Sequence, residues 1–187
     1  MFISKETLFS LVKNGYFLSS SRLVLAQLST QKLKIVRWHS CGIQELFSCL
    51  FSYSKAAPSQ IEGSFGTPLG LHKIVEKIGH TVPAGGQFIH RKFTGRICPQ
   101  AKNIQEKAAI LTRILRLQGC EWGFNKGIDP LSRLCCDTYL RCIYIHGTNL
   151  EAFIPQRLSH GCLLLKTKDL VEMFNLLEIN DFCFIYL

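Results

Sequence analysis

The chain has 187 residues, enough for one domain with a full hydrophobic core and a short extension. Apolar residues make up 47% and charged residues 19%, which excludes an intrinsically disordered polymer. The net charge of +9 suits an anionic partner, but the lysines and arginines are scattered, with no block of five like charges and no basic helix interleaved with aromatics, so nucleic acid is disfavoured.

Residues 1–20 read as a short amphipathic helix carrying Leu8, Leu11 and Val12 and ending near Gly15. They suggest an N-terminal extension over 1–21, with one domain over 22–187. Lys5 precedes only a short apolar stretch, which polar residues and then Lys13 interrupt, so no convincing secretory signal is present. No segment is long and apolar enough for a transmembrane helix. Runs at 23–25 and 33–38, separated by Ser29-Thr30-Gln31-Lys32, predict a hairpin that lacks the favoured Asn-Gly turn. A second apolar run over 46–53 leads into a loop of small and polar residues over 54–66.

Pro68 and Gly70 then punctuate a turn into a strand ending near Ile78. Phe88, His90 and Lys92 alternate with Ile89, Arg91 and Phe93, which predicts another strand. Residues 103–117 read two ways: Asn103 can cap a helix, and the same apolar residues also alternate as in a strand. Over 138–145 alternation predicts a strand with Leu140, Cys142, Tyr144 and His146 on one side, His146 standing rigid but exposed at its end. Residues 163–165 form a short buried strand, and Thr167 caps a helix with Leu170, Val171, Phe174 and Leu177 as its apolar stripe. A last strand runs over 182–187. The pattern as a whole is mainly β, with one or two short helices.

Nine cysteines stand at 41, 49, 98, 120, 135, 136, 142, 162 and 183. Their odd number, and the lack of any C-x-x-C pair, argue against a disulfide framework or a zinc ribbon. Vicinal Cys135 and Cys136 do not meet ordinary disulfide geometry. Most are expected as small core residues or free thiols, which suits a reducing compartment.

The chemistry concentrates in His146-Gly147-Thr148 and Ser159-His160-Gly161-Cys162, which set a base and a thiol 16 residues apart. A cysteine attacks as its thiolate, a nearby imidazole can take the proton, and glycines let backbone N–H groups approach a reacting carbonyl. The run YIHGTNLEAFIPQRLSHGC, from Tyr144 through Cys162, resembles the active-site motif of the L,D-transpeptidase catalytic domain family. Thr67-Pro68-Leu69-Gly70 resembles a turn common in the same family.

The resemblance implies a β-sandwich-like domain, and with it a strand from about Ala109 onward. It implies Cys162 as nucleophile, His146 as general base, and the Gly147 carbonyl as the group orienting His146. Tyr144, Ser159, His160 and Gly161 would shape the substrate site. The reaction implied is acyl transfer from a peptidoglycan stem tetrapeptide, through a cysteine thioester, to an amine, with no metal or cofactor. It also implies the periplasm or cell envelope, while the missing signal leaves the cytoplasm open. Three positions depart from the motif: Leu164 stands where the family usually has arginine, Pro155 where it has glycine, and Arg157 where it often has proline. Arg157 and Lys166 are the candidate substitutes for the absent cation. Two rival readings are a weakened relative that only binds stem peptides, and a zinc site made of His146, His160 and Cys162.

Overall fold

Stretches rich in leucine, isoleucine, valine and phenylalanine become strands throughout the computed structural model, which describes residues 22–39 and 42–187. In chain order they are β1 (Arg22–Gln27), β2 (Lys32–His39), β3 (Gly42–Leu50), β4 (Gly70–Ile78), β5 (Gly86–Ile89) and β6 (Lys92–Ile97). They continue as β7 (Ile110–Gly119), β8 (Tyr144–Gly147), β9 (Leu163–Leu165) and β10 (Phe182–Tyr186). Helix α1 (Thr167–Leu176) lies between the last two, and Glu151–Phe153 makes one 3-10 turn. The mainly β expectation and the β1–β2 hairpin therefore hold. The expected N-terminal helix lies outside the described residues, as does Cys41. No described helix is long and apolar enough to cross a membrane.

The main path of the sheet runs β3-β2-β1-β10-β4-β7-β5-β6. β7 is its branch point, since it pairs with β4, β5 and β8, and β8 in turn pairs in parallel with β9. This resolves the ambiguous segment as a strand. The apolar sides of β1, β2, β4, β7, β8, β9 and β10 close on one core with α1, including Ile35, Ile74, Leu117, Ile145, Leu165, Phe174 and Ile185. Burying each such side chain contributes about 1.5–3 kcal/mol, which fixes the faces of β8 and β9.

Three local expectations are corrected. Alternation over 87–93 hides a hairpin: His90 (φ 48°) and Arg91 (φ 66°) form a tight turn between β5 and β6. Two successive positive φ values match the right-handed twist of paired strands, so the chain reverses there without a glycine. The predicted strand over 138–145 begins only at Tyr144. The Asp137 carboxylate accepts the N–H groups of Tyr139 (2.9 Å) and Leu140 (3.1 Å), offering the backbone a turn instead of a ladder. Thr167 is not a cap but the first residue of α1, whose cap position is Lys166. Its N–H and hydroxyl both donate to Glu151 Oε1, at 2.9 and 2.5 Å, so a distant carboxylate serves as the cap.

Candidate active site

The parallel register of β8 and β9 sets His146 opposite Leu164, with Ile145 opposite Leu163 and Gly147 opposite Leu165. Ile145, Leu163 and Leu165 face the core. Alternation therefore turns Tyr144, His146, Cys162 and Leu164 to the other face. On that face Cys162 packs between two apolar groups, Phe88, Ile114 and Tyr144 on one side and Leu150, Ile154, Leu158 and Leu164 on the other.

His146 is buried, at 4% exposure, rather than exposed as its position at a strand end suggested. Its Nδ1 lies 2.8 Å from the carbonyl oxygen of Gly147, which can only accept, so Nδ1 carries the proton and Nε2 keeps its lone pair. Burial depresses the ring's pKa to about 4, against the opposing pull of that carbonyl, so the imidazole is neutral at pH 7.

Gly147 leaves no room for a side chain: a Cβ would lie 2.8 Å from the Leu111 carbonyl oxygen and 3.3 Å from Thr112 Oγ1. That crowding comes from a bulge in β7 between Leu111 and Ile114, where Thr112 takes a φ of 69°. Such a value is rare for a β-branched residue, and the bulge sits directly across from the His146–Gly147 segment.

The loop ahead of Cys162 is fixed from within. Ser159 Oγ donates to the Cys162 carbonyl at 2.6 Å and accepts the Gly161 N–H at 3.2 Å. The Gly161 N–H is thus taken up inside the loop. Gly161 has φ 129°, and a Cβ there would lie 2.7 Å from Ile143 Cδ1. The sulfur accepts the Tyr144 N–H at 3.3 Å, and its own S–H points to the Cys142 carbonyl at 3.7 Å. Burial pushes the thiol up to about 12, opposed by the Tyr144 N–H and the Arg141 cation. The resting pair is therefore a neutral imidazole and a protonated thiol.

The other expected residues divide. Tyr144 is buried, and its hydroxyl accepts from Arg91 Nη1 at 3.0 Å. His160 is exposed and meets Phe65 edge-on, at 5.6 Å between ring centres. It does not join His146 and Cys162: no group of three or more His, Cys, Asp or Glu among the described residues could hold a metal ion. Leu164 is 1% exposed and completes the apolar wall beside His146. Neither suggested substitute for its missing cation faces the thiol. Arg157 donates to the carbonyls of Ser54 and Ala56 and lies over Tyr53, while Lys166 is exposed at the cap of α1. The eight cysteines among the described residues are all unpaired.

Two arginines of the site were not foreseen. Arg141 donates to the carbonyls of Ser59 (3.0 Å), Gln60 (2.7 Å) and Gly66 (2.7 Å), tying the 54–66 loop to the approach of β8. Arg91 reaches Tyr144 from the β5–β6 turn. Their partners lie 53 to 82 residues away in sequence, and no local pattern marks such pairs.

A family model described as the L,D-transpeptidase catalytic domain (YkuD) matches residues 21–185. The chain belongs to this family. Among solved structures it is similar to the helical cell shape determining protein Pgp2 from Campylobacter jejuni, with a TM-score of 0.54 and 16% identity over 95% of this chain and 54% of that one. It is also similar to Bd1075 from Bdellovibrio bacteriovorus, with a TM-score of 0.54 and 12% identity over 89% of this chain and 48% of that one. At such identities the likeness concerns the fold, and the chain spans about half the length of these two structures. A search of curated proteins gives no match. An L,D-transpeptidase domain fold accounts for the shared face of β8 and β9 and for the mainly β architecture.

Proposed function

We propose that residues 22–187 form a cysteine acyltransferase acting on peptidoglycan stem peptides in the cell envelope. The observation that supports this best is the buried neutral His146, held through Nδ1 by the Gly147 carbonyl on the same face as Cys162. An imidazole fixed in that tautomer offers Nε2 as the acceptor for the thiol proton, and needs no carboxylate to orient it.

In the first step His146 Nε2 takes the S–H proton as Sγ attacks the carbonyl carbon of the donor amide. The C–N bond breaks, and the leaving amine of a D-amino acid takes the proton back from the imidazolium. In the second step an acceptor amine attacks the thioester, its proton passes through His146, and the thiol is restored. Because the resting thiol sits near 12, almost no thiolate stands ready, and proton removal must accompany attack.

A second reading, a relative that binds stem peptides with little turnover, draws on the apolar Leu164 beside His146 and on the same raised thiol. Incubation with a carbapenem followed by mass spectrometry separates the two. An acyltransferase gives one adduct, located on Cys162 and lost in His146→Ala. An unmodified Cys162 would leave the binding module as the better account.

A further inference from the structure

Arg91 stands at the tip of the β5–β6 hairpin, and Nη1 donates to the Tyr144 hydroxyl at 3.0 Å and comes within 3.9 Å of Cys142 Sγ. Tyr144 and Cys142 are the two residues whose backbone groups hold the Cys162 sulfur. The guanidinium therefore lies over the residues that bracket the nucleophile. Among the described residues, no ion pair engages it, and the four that exist use Arg22, Lys34, Lys77 and Arg116. Arg141 and Arg157, by contrast, spend their donors on backbone carbonyls.

Beside this tip, His90 lines a groove of about 490 Å³ together with Phe88, Lys107 and Asn149. None of the ten lining residues is an aspartate or glutamate, so the groove offers an anion no repulsion. Phe88 belongs both to the groove and to the group of side chains on which Cys162 packs. Groove and thiol thus have Phe88 in common, and Arg91 follows the groove residue His90 in the chain. A guanidinium with open donors is suited to a carboxylate, which it can grip through two parallel hydrogen bonds.

We propose that Arg91 binds the terminal carboxylate of the donor peptide, one residue past the scissile amide, and so selects donors that end in a free acid. The inference rests on the acyl-transfer reading above. It gives this chain a cation for the substrate although position 164 holds leucine, and it recruits that cation from a hairpin turn rather than from β9.

The test uses two synthetic stem tetrapeptides, one ending in the free acid and one in the carboxamide. The rate of Cys162 acylation is followed by intact mass in the parent protein, Arg91→Gln and Arg91→Lys. The parent should prefer the free acid by about tenfold to a hundredfold, the range expected for hydrogen bonds to a charged group. That ratio should fall to about one in Arg91→Gln and lie between in Arg91→Lys, which keeps the charge but loses the fork. An unaltered ratio in Arg91→Gln would overturn the inference. So would equal slowing of both donors, since Arg91 would then serve only to pin the hairpin to Tyr144. If neither donor acylates the parent, the acyl-transfer reading itself falls, and the inference falls with it.

Discussion

At Gly147 a hydrogen atom is the whole side chain, and the space allows no more. A β-carbon 2.8 Å from a strand carbonyl must displace backbone, not a flexible tip. Gly147→Val should cost about 1–3 kcal/mol of stability through overpacking. It should also shift the carbonyl that fixes His146, and lower the carbapenem acylation rate on the order of a hundredfold. A melt and an acylation time course on the same variant measure both; acylation at the parent's rate would mean that His146 is oriented by something else. Position 164 makes the opposite case. Restoring the family's arginine there would bury an unpaired charge in the patch of Leu150, Ile154 and Leu158. We expect Leu164→Arg to destabilise the fold by about 3 kcal/mol or more, and not to quicken acylation. A faster, equally stable variant would show that the wall beside His146 can open.

Among the elements, those with strict alternation or a clear apolar stripe were legible in the sequence. β1, β2, β4, β9 and β10 lie where spacing put them, with His146 in β8 and Cys162 just ahead of β9. What escaped depended on partners that spacing cannot display. Asp137 diverts the 138–142 segment into turns by capturing two N–H groups, and Glu151 caps a helix that begins 16 residues later. His146 was expected in the open because its burial arises from long-range packing, which leaves no mark in the local alternation. The β5–β6 hairpin escaped because His90 and Arg91 keep the alternation going through the turn itself. Asparagine, whose short polar side chain can hydrogen-bond locally, suits the left-handed region of such a turn better than histidine does. His90→Asn should therefore stabilise the protein by about 0.5 kcal/mol, read as a higher urea midpoint. A lower midpoint would mean that His90 makes some contact worth more than its backbone strain.

For the molecule as a whole, the consequence of burying two histidines is sensitivity to acid. His72 lies in the core of the fold, with Nδ1 3.0 Å from the Gly70 carbonyl and Nε2 3.2 Å from Thr138 Oγ1. Burial lowers both His72 and His146 from an ordinary 6.5 to about 4. Each is neutral when folded and protonates more readily when unfolded. The stability they support is therefore present above about pH 6.5 and is lost as pH falls toward 4. Urea midpoints measured from pH 7 to pH 4 should fall steadily, with unfolding near pH 5 taking up roughly two protons from these sites. A midpoint flat across that window would mean that both rings are charged in the folded state, and a slope of half the size that one of them is.

The hydrogen bond from His146 to the Gly147 carbonyl also bears on how such a site can decay. Where a carboxylate orients a histidine, one codon change erases the third member of the set. Here the acceptor is main chain, which every amino acid carries, so no replacement of a neighbouring side chain deletes it outright. Damage must come through geometry, by bulk at 147 or by a collapse of the bulge around Thr112. For the orientation of His146, the vulnerability moves from polar chemistry to steric room.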